Sequence, residues 1–292
     1  MISIAAISLD IERLEPISPT VPRLAGIIAD DESSLDDICR VIEYDPALTA
    51  NCLKLANSAY FASPAPVNTV REAVLKIGAG RILQDAVGRE VGPRYLRPLP
   101  AYEMEELELW QHSIAAATAA SLLPRYATVA IPPMAFTASL LHDLGKLIIA
   151  RHLDEESRRE IRSAVNDQHL TYVVAERLVL GFDHAQIGGL VARRWRFPDE
   201  LANCITWHHL PRRANIASPA LDAVHIANAV AKTIGTGLGV EGMNMQVETA
   251  SVEALGLTLH SLEALCAQTM MELPRTLELF EDVHSGVQHT HR

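Results

Sequence analysis

The sequence predicts an all-α protein. Alanine and leucine are abundant while aromatic residues make up only 5%, a mix that favours helix over strand. Apolar residues recur at three- and four-residue spacing in most segments. Proline and glycine punctuate those segments, at Ser63 to Pro66, Gly92 to Pro100, Ile131 to Pro133, Phe197-Pro198, Pro211 and Gly235 to Gly242.

Composition narrows the function classes. The chain has 292 residues, more than one average core fills, so two packed helical subdomains are expected. The apolar share is 49% and the charged share 21%, ordinary for a globular chain. The net charge of −11 lacks the cationic surplus that a grip on nucleic acid needs, so nucleic acid is not an expected partner. Arg193, Arg194 and Arg196 cluster, as do Arg212 and Arg213, and both groups read as solvated helix faces. Cys39, Cys52, Cys204 and Cys266 fall at no zinc-finger or redox spacing and read as free thiols in a reducing compartment. The start MISIAAISLDIERLEP is not a secretory signal, and no apolar run approaches the roughly 20 residues of a membrane span. A cytoplasmic chain without membrane contact is the expectation. The tail histidines His284, His289 and His291 carry little weight.

The elements follow in order. Leu35, Ile38, Val41 and Ile42 keep helical spacing, and Leu48, Cys52 and Leu55 do so after the turn signal Asp45-Pro46. Val70, Val74 and Ile77 form a stripe ended by Gly78. GPRYLRPLP reads as an extended connector, which sets the subdomains at 1–100 and 101–292. Leu107, Trp110, Ile114 and Ala117 make one stripe of the next helix, and His112, Ala115, Ala116 and Ala119 another, so that helix is central. MAFTASLLHDLGKLIIA is apolar nearly all round and reads as a buried helix. Gly145 within it costs about 1 kcal/mol, for which close approach of another backbone is the usual compensation. SLEALCAQTMMELPRTLEL reads as a last helix.

The chemistry-bearing residues lie in the second half. His142 and Asp143 are adjacent, about 100° apart on a helix, amid leucine and isoleucine. A buried carboxylate beside an imidazole needs a partner or a cation. The dipeptide serves a mutually satisfied pair as well as a metal site. Asp183 and Gln186 have the form of a capping box, with His184 in the first turn, where the helix dipole favours a neutral ring. Leu201, Ile205 and His208 share a stripe, and His209 continues it. His112 lies on the alanine-rich face, with Glu108 one turn earlier. Together Glu108, His112, His142, Asp143, His184, His208 and His209 offer nitrogen and carboxylate ligands suited to Fe, Mn or Zn.

At these residues the sequence resembles the HD superfamily of helical metal-dependent phosphohydrolases. It looks most like the HDOD branch of bacterial signalling proteins. The first half carries Asp45-Pro46, Leu55-Ala56-Asn57-Ser58 and the glycine after an Ala-x-x-x-Ile stripe. The second half carries LWQHS, SLLHDLGKL, GFDHAQIGGLVARRW and WHHLP, and the likeness runs from 17 to 233. The resemblance implies an N-terminal helical subdomain packed on an HD-like bundle. It implies metal ligation by Glu108, His112, His142, Asp143, His184, His208 and His209, with Lys146 facing a phosphate. Two departures stand out from the related HD-GYP enzymes, which hydrolyse cyclic di-GMP: Asn228 stands where an aspartate ligand is the rule, and HHLPRRANIASP holds no GYP loop. Asn228 is then a neutral ligand. The resemblance implies a regulatory module that meets signalling proteins, including components of cyclic di-GMP or two-component pathways, and a second copy of itself. The ligand set keeps a metal-dependent phosphodiesterase open as the alternative, with Lys146 neutralising a phosphate oxygen.

Overall fold

A computed structural model describes residues 4–61, 65–242, 244–278 and 280. Ser63 and the tail histidines His284, His289 and His291 lie outside these. The described residues form helices and turns, with no sheet and a single isolated bridge between Leu99 and Met104. No helix among them is long and apolar enough to cross a membrane.

The first half holds α1 (Ile4–Arg13), α2 (Thr20–Ala29), α3 (Leu35–Glu43), α4 (Pro46–Ala56), α5 (Val70–Ile77) and α6 (Ala79–Tyr95). Local chemistry sets their ends. The Asp45 carboxylate accepts from the Leu48 N–H and Pro46 opens α4, while Thr69 and Glu72 form a capping box on α5. Asn57 closes the loop after α4 as a clamp: its amide donates to the Leu53 and Val67 carbonyls, and its oxygen accepts from the Val67 N–H at 2.8 Å. Gly78, at φ 85°, turns the chain from α5 into α6.

The second half holds α7 (Glu108–Leu122), α8 (Met134–Leu141), α9 (Lys146–Ile149), α10 (Glu155–Gln168), α11 (Tyr172–Leu180), α12 (His184–Arg194), α13 (Asp199–Trp207), α14 (Pro219–Thr233), α15 (Thr249–Ala254) and α16 (Leu259–Glu278). Helix α7 is central, as its small residues predict, and packs on α8, α14 and α16. Ala115, Ala116, Ala117 and Ala119 are fully buried, and their small volume lets neighbouring helices approach closely. Trp110 on α7 meets Tyr95 and Phe280 edge-on, with ring centroids 6.3 and 5.5 Å away. The short turn Pro100–Tyr102 marks residue 100, and one apolar core runs from Ile7 to Phe280 past it.

Two expectations change. The connector GPRYLRPLP is not extended at its start, because α6 continues through Pro93 to Tyr95. Buried Val91 and Tyr95 hold that last turn in place against the proline. The stretch 134–150 is not one helix. It breaks into α8, a tight turn over 142–145, and α9.

Gly145 lies at the break. A methyl group at its Cα would sit 1.9 Å from the His184 carbonyl oxygen and 2.6 Å from the Gly188 nitrogen. The α8–α9 turn and α12 therefore touch backbone to backbone, which brings Asp143 beside His184. Backbone cannot yield as a side chain can, so Gly145→Ala should destabilise the fold by about 1–3 kcal/mol or more. Urea denaturation of the two proteins measures this, and equal midpoints would refute the crossing.

Candidate metal centre

Five segments converge on one buried point. Helix α7 presents His112, the turn after α8 presents His142 and Asp143, and α12 opens with His184. The end of α13 gives His208 and His209, and α14 gives Asn228. All are buried except His209, which is half-buried.

Asp143 joins two groups of ligand atoms. Its Oδ2 lies 3.5 Å from His112 Nε2 and 3.4 Å from His142 Nε2. Asn228 Oδ1 completes that group, 3.1 Å from His112 Nε2. Asp143 Oδ1 lies 3.3 Å from His184 Nε2 and 4.0 Å from His208 Nε2, and His209 Nε2 is 2.9 Å from His184 Nε2. Within each histidine–aspartate group the ligand atoms lie within 4.8 Å of one another.

Backbone and carboxylate contacts fix the tautomers. His112 Nδ1 faces the Thr236 carbonyl at 3.0 Å, His142 Nδ1 the Ser139 carbonyl at 2.6 Å and His208 Nδ1 the Ile205 carbonyl at 2.7 Å. A carbonyl only accepts, so each Nδ1 carries the proton and each Nε2 offers a lone pair inward. His112 and His142 thus aim lone pairs at one another over 3.1 Å, and His208 Nε2 is buried with no hydrogen-bond partner. Converging lone pairs need a proton or a cation between them. Burial disfavours the proton: it pushes His112 down to about 3 against the pull of Asp143, and drives His142, His208 and His209 down as well. Burial alone would raise Asp143, but His142, Lys146 and His184 outweigh it and hold the carboxylate ionised. Neutral imidazoles around one carboxylate fit a divalent cation of the Fe, Mn or Zn type.

In the metal-free chain His184 favours its charged form. Burial opposes its charge, but Glu176 and Asp143 overcome that and raise it to about 10. Its Nδ1 donates to Glu176 Oε2 at 2.6 Å, so a cation would replace only the Nε2 proton. Glu176 also accepts from the Tyr102 hydroxyl at 2.6 Å and the His184 N–H at 3.0 Å.

Two expected residues are placed differently. Glu108 stays out of the cluster: standing at the first residue of α7, its carboxylate accepts from the Glu105 N–H at 2.9 Å. Lys146 faces no open space. Its Nζ sits 2.8 Å from Asp143 Oδ2 and 2.5 Å from Glu241 Oε1, and Glu241 also pairs with buried Lys232. Burial would lower the Lys146 pKa, but Asp143 and Glu241 reverse it and hold the charge. Glu241 comes from the glycine-rich loop 235–242, whose lack of periodicity gave the sequence no signal for it. His225 adds an outer layer, donating from Nδ1 to the His208 carbonyl at 2.7 Å and accepting from the Glu248 N–H at 3.0 Å. The two arginine groups are exposed, as expected of solvated faces, although Arg194 donates to the Glu12 carbonyl and Arg212 pairs with Asp222.

A family model for the HDOD domain matches residues 14–211. The chain belongs to the HDOD family. That match covers both the Asn57 clamp of the first half and most of the histidine cluster. An uncharacterized protein of Treponema pallidum (strain Nichols) is 28% identical over 224 residues, 74% of this HDOD chain. The chain spans only 42% of that relative's length. Among solved structures, a candidate signal transduction protein of Marinobacter aquaeolei VT8 is similar, with a TM-score of 0.72 at 22% identity over 94% of this chain and 60% of that one. An HDOD domain protein with unknown function from Geobacter sulfurreducens gives 0.64 at 20% identity, over 94% and 97%. A candidate phosphohydrolase of Shewanella amazonensis SB2B gives 0.63 at 22% identity, over 96% and 98%. At these identities the likeness establishes the HDOD fold.

Two outcomes follow from the ligand geometry. Glu176→Gln removes the carboxylate that orients His184, and should weaken metal affinity by about 10–100-fold in competition with a chelator. An unchanged affinity would take His184 out of the site. The second concerns pH. Between about 3 and 6.5 the unfolded chain binds a proton at His112 that the folded metal-free chain refuses. Stability of the EDTA-treated protein should therefore fall as pH drops below about 6.5, read as a declining Tm. A flat Tm from neutrality to pH 4 would contradict buried neutral imidazoles.

Proposed function

We propose that this chain is a regulatory HDOD module of bacterial signalling whose metal centre is structural or sensory, and which acts on signalling proteins by contact. One observation carries this reading: the centre is closed. Its ligands are buried apart from half-buried His209, Lys146 is held between two carboxylates, and the pocket that reaches His209 has a volume of about 60 Å³. That holds a water or two, whereas drug-sized ligands occupy roughly 300–1,000 Å³. A cyclic dinucleotide does not fit it. The carboxylate of Glu241 occupies the position beside Lys146 that a phosphate oxygen would take. Components of cyclic di-GMP or two-component pathways are the partners this reading expects, in the cytoplasm.

A second reading has its own support, because Asp143 is shared between two ligand groups. Cations held there would supply Lewis acidity and a water of lowered pKa for phosphodiester hydrolysis. His112, His142 and Asn228 would hold one side, and His184, His208 and His209 the other. Lys146 could neutralise a phosphate only after Glu241 left it.

An untagged preparation should contain stoichiometric Fe, Mn or Zn and yet turn over neither cyclic di-GMP nor bis(p-nitrophenyl) phosphate above background. Turnover that His142→Ala abolishes would overturn the regulatory reading in favour of the hydrolase. Activity appearing only in Glu241→Ala would assign Glu241 as the plug. Absence of metal would return the histidines to core packing.

A further inference from the structure

A large cleft lies on the far side of the turn that carries Asp143 and Lys146. Its volume is about 910 Å³, and it is walled by the end of α1, the last turns of α6 with the connector that follows, and α9. Leu144 and Leu147, sequence neighbours of Asp143 and Lys146, form part of its floor together with prolines. Five arginines line it against two glutamates, in a chain of net charge −11. Arg89 is neutralised by Asp85 at 2.8 Å. Arg94 lies over the Trp195 ring at 5.2 Å and donates to the Glu15 carbonyl. Arg13, Arg97 and Arg151 are exposed and have no carboxylate partner among the described residues. Trp195, which also lines the cleft, is buried with its indole N–H unpartnered.

We infer that this cleft binds a nucleotide, a small molecule with a phosphate chain and a planar base. Unpaired guanidiniums suit phosphate oxygens, which they meet bidentately, and a cleft with low-dielectric walls concentrates their field. Arg94 already lies over the Trp195 ring and can present its guanidinium to a second ring, and the leucine and proline lining suits the face of a base. An extended acidic peptide would need a groove open at both ends and would leave that floor uncovered. The inference does not depend on the state of the metal centre. Leu144 and Leu147 place the cleft on the same short segment as Asp143 and Lys146.

The test is calorimetric titration of GTP and ATP into the full-length chain at low salt, with its metal and after EDTA. Saturable binding is expected in both states. The double variant Arg97→Ala/Arg151→Ala should bind at least about tenfold more weakly. Both positions are exposed, so far-UV circular dichroism and metal content should stay unchanged. Inorganic pyrophosphate should bind more weakly than either nucleotide. Failure of both nucleotides to bind, equal binding by the double variant, pyrophosphate binding as tightly as GTP, or displacement of GTP by a hexaglutamate peptide as readily as by ATP would each overturn the inference. Loss of binding only after EDTA would move the nucleotide to the metal centre and overturn it equally.

Discussion

One carboxylate in a dry interior organises this protein. Asp143 is faced by His112, His142, His184 and His208 and held by Lys146, and is almost wholly buried. Desolvating an ion costs several kcal/mol, so every neighbour must contribute to offsetting it. The offsets extend outward as a chain. Asp143 meets Lys146, Lys146 meets Glu241, and Glu241 meets Lys232. On the other side His184 meets Glu176, and Glu176 takes the Tyr102 hydroxyl. Three acidic side chains are thus matched by two lysines and one imidazolium. Removing any one member leaves the buried charges unbalanced.

The backbone geometry serves that arrangement. Asp143 can stand against the first turn of α12 only because Gly145 and Gly188 have no side chains at the crossing. Gly237 plays a similar part for the loop that delivers Glu241. At φ 52° it packs within 2.5 Å, from an added Cβ, of the Glu108 carbonyl and within 2.7 Å of the His112 Cβ. The plug and the ligand-bearing helix are therefore fitted to each other, which is why the centre is closed in the described structure.

Much of this was readable in the chain, and the failures have physical causes. Asp45-Pro46, Gly78 and the Asp183–Gln186 box end helices where their local chemistry says, because caps act within one turn. The burial of α7 followed from alanine on most of its faces. His112, His142, Asp143, His184, His208, His209 and Asn228 come together as the motifs implied. Pro93 was misleading because buried Val91 and Tyr95 outweigh a local breaker. Glu108 shares a face with His112 by periodicity, but its place at the helix start turns its carboxylate to a free backbone N–H. Glu176 and Glu241 were missed since their partners lie far away in sequence, and no local pattern marks such pairs. The pull on His184 in the metal-free chain is equally non-local: the helix dipole acts within one turn, whereas Glu176 and Asp143 arrive through tertiary packing.

The ligands come from segments spread between residues 112 and 228. No unfolded chain can present them together, so a bound ion would be coupled to the whole fold. At free metal a hundredfold above its dissociation constant, that coupling adds about 2.7 kcal/mol of stability. Scarcity of the ion would then shorten the lifetime of the chain itself, tying its abundance to the supply of a micronutrient.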